Sequence, residues 1–117
     1  MKILIVDDST FMRTVLKGII AETRYKDAEV IEATNGEEAI EKYRTEKPDL
    51  MLLDIIMPGK DGITVLKELG ELANSVVIIS SVDQAQVIDE AKALGAKGYI
   101  IKPYDASQVI ETLNRLS

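Results

Sequence analysis

Hydrophobic residues in this chain fall alternately into short continuous runs and into stripes of helical period. Ile3-Leu4-Ile5-Val6 is a compact, largely β-branched run and reads as a strand. From Thr10 to about Glu22, the residues Phe11, Met12, Val15, Leu16, Ile19 and Ile20 recur at helical spacing. Glu29 to Ala33 reads as a second strand centred on Val30 and Ile31. Asn35-Gly36-Glu37-Glu38 reads as a helix start, with Asn35 as cap, and Pro48 closes that helix after about Glu46. Leu50-Met51-Leu52-Leu53 is a third strand, apolar on both faces, with Asp54 directly after it.

The loop from Ile55 to Gly62 holds Pro58, Gly59 and Gly62, and the next helix carries Val65, Leu66, Leu69 and Leu72. Val76 to Ile79 is a fourth strand ending at Ser80, and Asp83-Gln84-Ala85-Gln86 reads as the cap of a helix running through Val87, Ile88, Ala91 and Leu94 to Gly95. Tyr99-Ile100-Ile101 is a fifth strand stopped by Lys102-Pro103, and Asp105 opens a last helix with Val109, Ile110, Leu113 and Leu116. Five strand–helix units in series, with strands apolar on both faces, imply an α/β fold with a parallel sheet covered on both sides. Right-handed crossovers then restrict the sheet to a doubly wound one. The 117 residues suit a single domain, with no repeat, low-complexity tract or long linker.

Ligands of an open parallel sheet bind outside the carboxyl ends of its strands. There the sequence places Asp7-Asp8 after the first strand, Asp54 after the third, Ser80 at the end of the fourth and Lys102-Pro103 after the fifth. Three carboxylates at close range repel unless a cation offsets them. The chain has no histidine and no cysteine, which removes a Ser-His-Asp triad, a thiol nucleophile and zinc–thiolate chemistry. The implied cation is therefore a hard one such as Mg²⁺, held by carboxylates and shared with a phosphate. Lys102 supplies a point charge for a phosphoryl oxygen, Ser80 a hydroxyl, and Asp54 is left as the nucleophile able to carry an acyl phosphate. A net charge of −6, from 20 acidic and 14 basic residues, disfavours nucleic acid. The first turn, Asp7-Asp8-Ser9-Thr10, lacks the glycine-rich cradle of a nucleotide site. No apolar run has signal-peptide or membrane-spanning character, so the expected location is the cytoplasm.

Four fragments in order, Ile3 to Ser9, Leu52 to Gly59 with Asp61-Gly62, then Ser80, then Lys102-Pro103, resemble the receiver domain of response regulators, in particular the single-domain chemotaxis (CheY-like) type. The resemblance covers the whole chain, as one receiver domain over 1–117 with no effector domain. It implies a flavodoxin-like, five-stranded sheet of order 2-1-3-4-5 with five helices. By the same resemblance Asp54 is the phosphoacceptor, Asp8 a direct Mg²⁺ ligand, Asp7 a ligand through water and the Ile56 carbonyl a further ligand. Lys102 matches the family's lysine, its bond to Pro103 cis, with Ser80 and Tyr99 as switch hydroxyl and switch aromatic.

The implied function is a two-component switch in chemotaxis or motility rather than an enzyme. Its phosphochemistry is limited to self-phosphorylation from phosphodonors and autodephosphorylation. The implied partners are a histidine kinase, a phosphatase, and a flagellar-switch or adaptor target on a face including Ile88, Lys92, Tyr99 and Ile101, with the chain a monomer. A phosphorelay or kinase-regulating receiver would look much the same. A Mg²⁺-dependent aspartyl phosphohydrolase usually carries a second Asp two residues after its nucleophile, where this chain has Ile56. Ser80 stands where threonine is more usual in the family, and Ile56 and Val82, both apolar, flank the expected site of water attack.

Overall fold

The structure, a computed structural model, describes residues 1–70 and 75–116. The elements follow in strict alternation. These are β1 (Lys2–Val6), α1 (Thr10–Ile20), β2 (Glu29–Ala33), α2 (Gly36–Glu46), β3 (Leu50–Leu53), α3 (Gly62–Leu69), β4 (Val76–Ser80), α4 (Ala85–Ala93), β5 (Gly98–Ile101) and α5 (Ala106–Arg115). All strand pairs are parallel and the sheet order is β2-β1-β3-β4-β5. Among the described residues, no helix is long and apolar enough to cross a membrane.

Alternation along each strand divides the core into two layers. Ile3, Ile5, Leu50, Leu52, Val77, Ile79 and Ile100 pack with α1 and α5 through Leu16, Ile19, Ile20, Val109 and Leu113. Leu4, Val6, Met51, Leu53, Val76 and Ile78 pack on the other side with α2, α3 and α4. The three central strands are buried over nearly their whole length, which is why they read as continuous apolar runs. Strand β2 lies at one edge of the sheet, and its Glu29 and Glu32 keep that edge polar.

Local chemistry sets the helix ends. Ser9 Oγ accepts the Met12 N–H, Asn35 Oδ1 accepts the Glu38 N–H, and Asp61 Oδ1 accepts the Thr64 N–H, so α1, α2 and α3 each start on a side-chain cap. Helix α1 stops at Ile20 rather than near Glu22, because the Thr23 hydroxyl takes the Ile20 carbonyl and accepts the Tyr25 N–H. The buried stripe of α1 also differs from the expected one: it is Arg13, Leu16, Ile19 and Ile20, while Phe11 is 73% exposed. Helix α4 starts from Gln84, within the expected Asp83–Gln86 segment, but makes no side-chain cap bond and buries only Ala91. Leu72 lies outside the described residues.

The loop after β3 turns back so closely that α3 must begin on glycine. A Cβ on Gly62 would lie 2.5 Å from the Asp54 carbonyl oxygen and 2.8 Å from Ile55 Cα, both backbone atoms. The Gly62 N–H donates to the Ile55 carbonyl at 2.9 Å, closing the turn. Gly62→Ala is therefore expected to cost about 2 kcal/mol through backbone crowding, read as a fall in Tm on thermal denaturation. An unchanged Tm would contradict this account of the turn.

Candidate functional site

Asp7, Asp54 and Lys102 each directly follow a strand, and the N–H of each extends the ladder by one bond. Asp7 N–H donates to the Ala33 carbonyl at 3.2 Å, Asp54 N–H to the Val6 carbonyl at 3.0 Å, and Lys102 N–H to the Ser80 carbonyl at 2.9 Å. The registers Val6↔Leu53 and Ser80↔Ile101 therefore bring these residues level. Asp7 continues the alternation of Ile3 and Ile5, Asp54 that of Leu50 and Leu52, and Lys102 that of Ile100. Period two thus sends all three side chains out on the α1–α5 side of the sheet.

There they meet. Lys102 Nζ donates to Asp7 Oδ2 at 2.9 Å and to Asp54 Oδ2 at 2.9 Å. The remaining oxygens are held by backbone, with Ser9 N–H on Asp7 Oδ1 at 2.9 Å and Ile56 N–H on Asp54 Oδ1 at 3.1 Å. Asp7 and Asp54 are buried while Asp8 is exposed, and carboxylate oxygens of all three lie within 4.8 Å of one another. Burial of Lys102 works against its charge, but the hydrogen bonds and attraction of Asp7 and Asp54 outweigh that and raise its pKa above the ordinary lysine value. A cluster of carboxylate oxygens with no sulfur or imidazole suits a hard divalent cation such as Mg²⁺.

The two expected switch residues leave the sheet on the opposite side. Ser80 follows Val76 and Ile78, and Tyr99 packs against the α2–α4 core. Ser80 is fully buried, and its hydroxyl accepts the Val82 N–H at 3.3 Å. The Tyr99 hydroxyl donates to the Val82 carbonyl at 2.5 Å. The phenol keeps its proton, because burial raises its pKa and the charges of Asp54 and Asp83 add to this. One residue, Val82, thus joins Ser80 to Tyr99, while the Ile56 side chain points outward and is 57% exposed. The Lys102–Pro103 bond is cis.

Sequence reasoning gave no site role to Arg13, which is buried and donates from Nη1 to the Asp7 carbonyl at 2.7 Å. The available signal was its place one helical turn before Leu16 and two before Ile20, a cation within an apolar stripe.

Comparison with known proteins identifies the family. The response regulator receiver domain family matches residues 3–114. The chain belongs to that family. The receiver is 47% identical to the chemotaxis protein CheY of Thermotoga maritima over 119 residues, 99% of this chain and 97% of the relative. It is 34% identical over 116 residues to sporulation initiation phosphotransferase F of Bacillus subtilis, covering 97% of this chain and 91% of that one. Among solved structures, a chain in the CheX-CheY-BeF3-Mg+2 complex from Borrelia burgdorferi superposes with TM-score 0.87 at 35% identity, covering 96% of this chain and 85% of that one. The receiver is CheY-like, and so a component of two-component signalling.

The raised pKa of Lys102 has a signed consequence for stability. The stabilisation it reports is complete below the unfolded lysine value of about 10.4 and is lost as pH rises through the higher folded value. Lys102→Met leaves Asp7 and Asp54 uncompensated and is expected to cost about 3 kcal/mol near neutrality. Urea denaturation at about pH 8 and about pH 11 should show the gap between the two proteins narrowing at the higher pH. A gap that widens would contradict the assignment.

Proposed function

We propose that the receiver accepts a phosphoryl group on Asp54 from a partner histidine kinase, with Mg²⁺ at Asp7, Asp8, Asp54 and the Ile56 carbonyl, and then alters a protein-binding face. The observation that carries this reading is the Asp54 carboxylate, held at the end of β3 by Lys102 and the Ile56 N–H beside two further acids. In the transfer an Asp54 oxygen bonds to phosphorus while the bond from phosphorus to the donor's histidine nitrogen breaks. Mg²⁺ held by these acids would supply charge neutralisation for the transfer. No residue of these 117 is a histidine, so the donor histidine lies outside this domain. An apolar cleft of about 420 Å³, lined by Phe11, Met12, Val15, Pro103 and Tyr104, borders Lys102 and offers the approaching donor a surface.

The response runs through the other side of the sheet. A new phosphoryl oxygen would accept the Ser80 hydroxyl proton and draw the side chain toward it, straining the bond that Ser80 Oγ now accepts from the Val82 N–H, while the Val82 carbonyl holds Tyr99. Helix α4, which buries only Ala91 fully and otherwise rests on half-buried Val87, is the element most readily moved. The face it shares with β5 and α5 carries half-buried Ile88 and Tyr99 and exposed Lys92 and Ile101. A cleft of about 460 Å³ runs beside Tyr99 and Ile101 to Gln108, Thr112 and Arg115.

The CheY relative favours a chemotaxis target, such as a flagellar switch or adaptor, and the Borrelia burgdorferi complex favours a CheX-like partner. The sporulation phosphotransferase relative supports a second reading, a phosphorelay intermediate using the same Asp54 chemistry. Turnover as a hydrolase is disfavoured, because Ile56 places an exposed apolar side chain where an acid–base carboxylate would stand.

Incubation with Mg²⁺ and a small acyl phosphate is expected to add one phosphoryl group to the unaltered chain and none to Asp54→Asn, read by intact-mass spectrometry. An unlabelled chain, under conditions that label another receiver, would refute the reading. Sustained turnover of a phosphate ester would point to the hydrolase instead.

A further inference from the structure

Arg13 lies beside the acidic cluster, and the chemistry above leaves it without a role. It is 8% exposed, unusual for arginine, and its donors reach three separate places. Nε donates to Glu32 Oε1 of β2 at 2.9 Å, Nη2 to Thr10 Oγ1 at 3.1 Å, and Nη1 to the Asp7 carbonyl at 2.7 Å. An arginine buried only to pair with Glu32 would not need the third bond. That carbonyl belongs to the peptide joining Asp7 to Asp8, so its direction fixes how the chain presents Asp8 after Asp7. Asp8 depends on this more than Asp7 does. The Asp7 carboxylate is held by Lys102 and Ser9, whereas the Asp8 carboxylate is exposed and makes no bond among the described residues.

The charge of Arg13 also needs an answer, since a bare guanidinium near a cation site would repel the cation. Glu32 provides it, pairing with Arg13 at 2.9 Å and with Lys17 at 2.6 Å. The Lys17 bond, opposed by burial and aided by Arg13, holds the Glu32 carboxyl below the usual carboxylate range. Arg13 is thus anchored at one end by an ionised carboxylate and grips the Asp7–Asp8 peptide with the other.

We propose that Arg13 is a positioning residue for the divalent-cation site, locking the Asp7–Asp8 peptide through the Asp7 carbonyl while Glu32 fixes and neutralises the guanidinium. The inference rests on the Mg²⁺ reading of the site. Only a planar fork can serve the three acceptors at once, so lysine retains the ion pair with Glu32 but not the grip.

Calorimetric titration of MgCl₂ into the full chain and its variants tests this, with Tm measured alongside. Arg13→Met and Arg13→Lys should both weaken Mg²⁺ binding, by about tenfold or more. Arg13→Lys should at the same time recover most of the Tm lost in Arg13→Met, which separates positioning from mere support of the fold. In the absence of cation, the ¹³C carbonyl resonance of Asp7 should shift in both variants. An Arg13→Lys protein whose Kd stays within about twofold of the unaltered chain would overturn the proposal. If neither Arg13 variant folds, Glu32→Gln takes their place, with weakened Mg²⁺ binding expected and an unchanged Kd again overturning it. An unaltered chain that binds no Mg²⁺ would instead remove the reading on which the proposal rests.

Discussion

Carboxylate oxygens of Asp7, Asp8 and Asp54 stand within 4.8 Å of one another at the end of a sheet, and two of those acids are buried. Such a cluster persists only where positive charge and N–H groups are aimed at it. Lys102 supplies the charge by bridging Asp7 and Asp54, and the Ser9 and Ile56 N–H groups satisfy the opposite oxygens. Much of the architecture serves this compensation. Parallel strands bring their carboxyl ends to one edge, the order β2-β1-β3-β4-β5 sets Asp7 next to Asp54, and one ladder bond past each strand fixes where the side chain leaves.

The same period of two separates charge from response. Asp7, Asp54 and Lys102 emerge with the α1–α5 layer, and Ser80 and Tyr99 emerge with the α2–α4 layer. Val82 connects the last two through both its N–H and its carbonyl. The loop carrying Val82 leads into α4, whose start lacks a side-chain cap and whose buried surface is small. Val82 therefore gives Ser80 and Tyr99 a short backbone route to α4, which is the physical basis of the proposed switch.

What was legible in the sequence follows from burial. Strands β1, β3 and β4 are covered on both faces, so their apolar runs announce a parallel sheet, and the acids directly after β1 and β3 stand out by contrast. Asn35 was legible as a cap because a side-chain oxygen three residues before Glu38 has one obvious use. The end of α1 was not, because it depends on the Thr23 hydroxyl capturing the Ile20 carbonyl. Phe11 read as core because the apolar stripe of α1 is wide, yet the fold turns it outward and buries Arg13 instead. Arginine at that spacing looks like solvated surface until β2 brings Glu32 beside it. The opposite exit of Ser80 and Lys102 also needed the register, since both simply end strands when the chain is read alone.

The central claim is that Lys102 and the proposed divalent cation share one task, neutralising the buried pair Asp7 and Asp54. It is tested most directly by unfolding the unaltered chain and Lys102→Met, each in chelator and in saturating Mg²⁺. Binding to the folded state alone adds stability according to the affinity of the site, and that affinity should rise when the competing ammonium is gone. The account predicts a larger Mg²⁺-induced gain in stability for Lys102→Met than for the unaltered chain. An equal or smaller gain in Lys102→Met would contradict it.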